Sequence, residues 1–236
     1  MLNKIVLLAA ALLIATIARD RTSPTPLLPS DAFSLRTRVG VGLWIVFLMP
    51  LAQASTAVYL VLTLQTLWGI GATVAGLFNA CLALAWSFFA IVVASLGPRT
   101  NRASFIALGP VLLVAGLSTI VAGLLIDRPE VMLGGQIAIG AGYGIAWSFL
   151  SQAVMEGARD GERDRASASL PTLQSAGYAV GAAVAGLVAN AAGYTVADID
   201  AVKSASITVF ATSAAIGLLA VTAGLALRRR LVHRAK

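Results

Sequence analysis

The stretch "MEGARDGERDRASASLPTLQSAGYAVGAAVAGLVAN", residues 155–190, holds seven charged side chains up to Arg165 and none beyond it. Glycine, alanine and a few polar side chains take over. So abrupt a change marks a change of solvent. The charges stay in water, and the residues after them enter a medium where a central charge costs about 3 kcal/mol or more. The whole composition agrees with this. Of 236 residues, 58% are apolar and 11% charged, with a mean hydropathy of +0.88. A soluble domain carries about 25% charged residues. A chain this poor in charge lacks the polar surface to clothe a soluble globule, so it reads as an integral membrane protein.

Working outward from that stretch, seven apolar runs appear, over about 2–18, 40–63, 68–95, 104–126, 131–155, 168–190 and 204–227. Each is near or above the ~20 residues that a helix needs to cross hydrocarbon. Spanning strands would need segments of ~10 residues with alternating polarity, a pattern missing here. Backbone groups in lipid must bond within their own segment, so the spans are helices. The expected fold class is therefore all-α, with about seven transmembrane helices. Residues 1–18 form a first helix, 19–38 a linker loop, 39–228 a six-helix bundle and 229–236 a basic tail.

The net charge of +7 suits an acidic partner, but its distribution excludes nucleic acid as the explanation. If connecting segments alternate between two sides, one side holds fourteen Lys and Arg, in 19–39, 96–103, 156–167 and the tail from Arg228. The other holds only Lys4, Arg128 and Lys203. By the positive-inside rule the amino terminus lies outside and the carboxyl terminus in the cytoplasm. The expected location is the plasma (inner) membrane, multi-pass, with the lipid bilayer as the principal partner. In that frame the charge run at 156–165 is a cytoplasmic loop. Glu156, Asp160, Glu162 and Asp164 read as loop carboxylates with local ion pairs. Alternatively, some of them close a cytoplasmic gate with Arg99 or Arg102 of the neighbouring loop.

The opening "MLNKIVLLAAALLIATIARD" resembles a signal peptide in its lysine and apolar run. Cleavage after Ala18 would place Thr16 at the minus-three position, a weak site, and would carry the arginines of 19–39 outward. The span is expected to be retained. In "RDRTSPTPLLPSDAFSLRTR", residues 19–38, three prolines separate the flanking helices. Ser30 or Asp31 is placed to cap a short helix over 31–38, with Phe33 and Leu35 dipping into the interface.

Catalytic signatures are missing. One cysteine, Cys81, and one histidine, His233, leave no material for a disulfide, a zinc site or histidine-based proton transfer. No phosphate-binding lysine motif occurs. No ionisable residue lies deep in a span, where proton relays and ion sites usually sit. Neither enzyme chemistry nor a cofactor or metal is expected.

The spans instead offer polar and aromatic side chains in stripes. Gln136, Gly140, Tyr143 and Trp147 fall at i, i+4, i+7 and i+11. Asn79, Ala83 and Trp86 share a face. Ser55, Tyr59, Thr63 and Thr66 align, with Gln65 near the outer end of that span, and Gln174 precedes Tyr178 by one turn. Amides in lipid need partners or water, and rings with a few convergent polar groups suit an amphipathic organic ligand. Tyr59, Asn79, Trp86, Gln136, Tyr143, Trp147, Gln174 and Tyr178 are accordingly the candidate substrate wall. The plainer reading makes the amides interhelical glue and the rings packing. Gly177 and Gly181 form a small-xxx-small pair for close helix packing.

Three segments carry a resemblance. "AVYLVLTLQTLWGIGATVAGL" (57–77) resembles the seventh helix, short outer turn and eighth helix of major facilitator superfamily drug exporters. "SLGPRTNRAS" (95–104) is similar to that superfamily's basic loop between the eighth and ninth helices. "GERDRASASLPTLQSAGYAVGAAVAGLVANAAGY" (161–194) resembles the loop and eleventh helix. Two departures stand out: "GPRTNR" lacks the aspartate of the superfamily's loop motif, and Ala182 stands where a proline commonly follows the second glycine. The resemblance implies the carboxyl-terminal six-helix half of a drug–proton antiporter, preceded by one extra helix. It further implies export of small, largely apolar organic molecules by alternating access. The partner would be a missing amino-terminal half or a second copy. The alternative is a non-transporting membrane subunit or truncated remnant that only associates with other helices.

Overall fold

In a computed structural model of the chain, which describes residues 19, 26–96 and 101–232, six helices follow one another. They are α1 (Arg38–Trp68), α2 (Ala72–Ser95), α3 (Arg102–Leu125), α4 (Pro129–Gly157), α5 (Arg163–Ala191) and α6 (Ile199–Val232). All six are long and apolar enough to cross a membrane. The described residues form an all-helical, multi-pass membrane protein. The expected first span, 2–18, lies outside them.

Local chemistry sets the helix ends. Thr37 caps α1, its hydroxyl accepting a hydrogen bond from the Gly40 amide. Asn101 caps α3 through the Ser104 amide, and Pro129 opens α4, where its missing N–H costs nothing. Gly69 closes α1 at φ 62°, a left-handed conformation that a Cβ disfavours. This lets α2 start three residues later.

The α1 and α6 helices have 31 and 34 residues. At about 1.5 Å per residue both exceed the ~30 Å of hydrocarbon, so their ends stand in the headgroup layer or beyond. There α6 runs on through Arg228, Arg229 and Arg230 to Val232, where the sequence suggested a separate tail from 229. Arginine is a good helix former, and cations at a helix carboxyl end complement its dipole.

Packing has an internal two-fold pattern. The α1 helix lies against α5 as α4 lies against α2, and α6 packs on α1 as α3 packs on α4. The α3 and α6 helices pair with each other across the middle. The first three helices thus repeat as the last three with opposite direction. Buried side chains concentrate on α1 and α4, while α2 and α5 keep most of their surface outward.

Alternating directions give two rims. Between residues 26 and 232, one rim gathers Arg36, Arg38, Arg102, Arg159, Arg163, Arg165 and Arg228 to Arg230. The other carries Arg128 and Lys203. On this second rim Asp127 accepts a hydrogen bond from Trp68 Nε1 at 3.1 Å and lies 3.8 Å from Lys203 Nζ. It thereby ties the ends of α1 and α3 to the start of α6.

The segment before α1 departs from expectation. Residues 30–37 form turns rather than a short helix, with Ala32 N–H bonded to the Pro29 carbonyl and Ser34 N–H to that of Asp31. Ser30 and Asp31 cap nothing there. Ser30 donates to Glu162, and Asp31 pairs with Arg159 at 3.0 Å. Tertiary partners have displaced the local cap. Phe33 turns inward and meets Trp44 edge-on, ring centroids 6.3 Å apart, while Leu35 stays 65% exposed.

Candidate functional site

The site begins with close approach between backbones. On α4, a Cβ added to Gly140 or Gly144 would overlap the carbonyls of Leu82 and Trp86 on α2. These two i, i+4 glycines bring α2 so near that side chains flanking the contact meet directly. On the facing pair, Gly177 and Gly181 of α5 stand in the same relation to the Phe47 and Leu51 carbonyls of α1.

The α4 stripe therefore looks onto α2. Gln136, fully buried, donates from Nε2 to Asn79 Oδ1 at 3.1 Å, and its Oε1 has no partner among the described residues. Two turns further, Tyr143 stacks on Trp86 with centroids 4.8 Å apart and planes 27° apart. Trp147 closes the group, 6.1 Å from Trp86 and edge-on, and 6.5 Å from Tyr143. Offset and edge-on pairs of this kind add about 0.5–1.5 kcal/mol beyond area burial. Tyr143 is completely buried. Its hydroxyl faces the Tyr178 phenol of α5 but falls outside hydrogen-bonding geometry, so it has no partner among the described residues. Gln174 is half-buried one turn before Tyr178.

The structure thus brings together Asn79, Trp86, Gln136, Tyr143 and Trp147, with Tyr178 opposite. Tyr59 is elsewhere. It meets Tyr194, in the connection after α5, edge-on at 5.3 Å, beside Ala185, Ala189 and Val209. Burial pushes the Tyr194 phenol above the ordinary tyrosine range. Thr63 of the α1 stripe is also engaged, its Oγ1 lying 3.0 Å from Ser206 Oγ of α6 in a fully buried seam. Neither Tyr194 nor Ser206 stood out in the sequence. Ser206 has a signal only as a small polar residue in an apolar run, and Tyr194 only as an aromatic beside Gly193.

On the charged rim, Arg102 reaches Glu156 at 4.0 Å with both side chains more than half exposed, a contact worth little by itself. Arg99 lies outside the described residues. Cys81 is half-buried on α2. Among the described residues no group of three His, Cys, Asp or Glu side chains converges as a metal site would require.

The cluster is a packed contact between α2 and α4. It has aromatic faces, an amide pair, and two buried oxygen atoms with hydrogen-bonding capacity left over. Curated proteins are similar to this sequence over most of its length. Two curated proteins from two strains of Mycobacterium tuberculosis, each described as a probable multidrug-efflux transporter, are 29% identical over 197 residues. The match covers 79% of this chain and 40% of each relative, so the chain spans about two fifths of their length. No protein-family model matches the chain.

Proposed function

We propose that this chain is one six-helix half of a membrane transporter that exports small, largely apolar organic molecules. The observation that carries it is the α2–α4 cluster. Trp86, Tyr143 and Trp147 offer ring surface, while Gln136 Oε1 and Tyr143 Oη are buried without partners among the described residues. Leaving such groups unpaired costs about 1–3 kcal/mol each. A ligand or water admitted by a movement of α2 against α4 recovers it, since both side chains are fully enclosed as they stand. Similarity to the two efflux transporters supports the same reading.

The complete machine is of the major facilitator type and works by alternating access, this bundle rocking against a second one about a midplane site. The second bundle is an amino-terminal half or another copy of this chain. Proton coupling resides in that other part, since charged side chains of the described spans sit at helix ends. The arginine-rich rim faces the cytoplasm of the inner membrane. Tyr59, Gln174 and Tyr178 extend the wall on α1 and α5, and Arg99 with Arg102 borders its cytoplasmic mouth.

The test is ligand binding by the purified chain in lipid nanodiscs, with a fluorescent aromatic dye and tryptophan quenching as readout. Saturable quenching that Trp86→Ala and Tyr143→Phe both weaken is expected. Quenching insensitive to either substitution, or equal to partitioning into empty nanodiscs, would refute a site at the cluster. It would favour the subunit that only binds other helices.

A further inference from the structure

At the rim where α1 begins and α4 and α6 end, a cleft of about 790 Å³ opens beneath the 31–37 turns. Arg36, Arg38, Arg159 and Arg230 line it, with Asp31, Glu156 and Asp160. Four arginines face three carboxylates, a net excess of one positive charge, and Asp160 has no arginine within ion-pair range among the described residues. Arg159 is taken by Asp31 at 3.0 Å, and Glu156 faces Arg102 instead. Arg36, Arg38 and Arg230 have no carboxylate within ion-pair range among the described residues. Arg230 donates to the carbonyls of Leu35 and Thr37, and Arg38 to the carbonyl of Arg230. Bonds to carbonyls fix a guanidinium's direction without neutralising it. Arg38 is also the first residue of α1, whose partly positive amino end meets the partly negative carboxyl ends of α4 and α6 at the same rim, so the helix ends add no net positive charge there.

We propose that this cleft binds the phosphate of an anionic phospholipid. Guanidinium forks match phosphate oxygens in pairs, and two of the three here are held in place before any ligand arrives. Free phosphate would explain the charge but not the setting. Leu35, next to Arg36 in sequence, and Val232, two residues beyond Arg230, are 65% and 42% exposed. The helices leave the hydrocarbon at this level, and basic clusters at that depth attract anionic headgroups. The inference rests on the reading of the chain as membrane-spanning and is independent of transport.

Delipidated protein in detergent is titrated with phosphatidylglycerol, with phosphatidylcholine of the same acyl chains, and with inorganic phosphate. Lipid retention by native mass spectrometry and the thermal midpoint are the readouts. Phosphatidylglycerol should be retained and raise the midpoint, while the other two should do neither. Arg36→Gln should weaken retention about fivefold. This guanidinium makes no hydrogen bond or ion pair among the described residues, so folding is unaffected. Arg163→Gln, also exposed on the same rim but outside the cleft, should match the unaltered chain. Equal losses in the two variants would reduce the effect to rim charge. Equal binding of phosphatidylcholine, or equal protection by inorganic phosphate, would overturn the lipid assignment.

Discussion

Thr63 Oγ1 and Ser206 Oγ, 143 residues apart in sequence, meet at 3.0 Å in the buried seam between α1 and α6. Both side chains are fully enclosed, so each hydroxyl depends on the other. Thr63→Val alone should cost about 1–3 kcal/mol by stranding Ser206, and Ser206→Ala likewise. The double variant should cost less than the two singles added together. Equilibrium unfolding in mixed detergent reads this coupling, and strict additivity would show that each hydroxyl has another partner.

Gly181 and Gly186 sit on the same helix with opposite surroundings. A Cβ at Gly181 would run into the Leu51 carbonyl, whereas at Gly186 the nearest atom, Tyr59 Oη, is 3.9 Å away. Gly181→Ala should destabilise by about 1–3 kcal/mol. Gly186→Ala should stabilise by about 0.5–1 kcal/mol through helix propensity. Thermal midpoints of the two variants should move in opposite directions, and a tolerated Gly181→Ala would mean that α1 and α5 sit further apart.

Trp147 separates binding from packing. It forms the outer member of the ring cluster and is only partly buried. Trp147→Ala should weaken dye binding roughly tenfold, as expected for loss of about 1.4 kcal/mol of stacking, with little change in thermal midpoint. A core residue would behave otherwise, since truncating a buried aromatic costs about 3–5 kcal/mol. A large drop in midpoint with unchanged dye affinity therefore removes Trp147 from the site.

Orientation is open to direct labelling. In a Cys81→Ser background, single cysteines at Arg128 and Asp160 occupy opposite rims. A membrane-impermeant maleimide added to intact cells should label position 128 and spare 160. Labelling of 160 alone would invert the topology.

Gradient-driven transport is the last expectation. Vesicles containing only this chain, under an imposed pH difference, should not accumulate a fluorescent aromatic dye. Accumulation abolished by an uncoupler would place the coupling group within this sequence after all.

What the sequence revealed about the fold follows from what one dimension encodes. Hydropathy runs longer than a bilayer's thickness mark spans unambiguously, and a period of 3.6 residues fixes which side chains share a face of one helix. That is why Gln136, Tyr143 and Trp147 group on one face from the sequence alone. Which helices adjoin is set by backbone approach at glycines such as Gly140 and Gly144, whose partners lie some sixty residues away in sequence. The same limit sent Tyr59 to Tyr194 rather than to the cluster. It also dissolved the expected cap at Ser30, where Glu162 offered a stronger acceptor than the local backbone.

Asp127 holds its two neighbours by bonds of unlike kind. The indole hydrogen bond at 3.1 Å is short-ranged and survives added salt, whereas the contact with Lys203 at 3.8 Å is an exposed charge pair. At about 1 M ionic strength the Debye length shrinks to ~3 Å, below that separation. Brine should therefore slacken the start of α6 while the junction of α1 with the α3–α4 turn stays fastened. This rim is held by two contacts, and electrolyte loosens one of them.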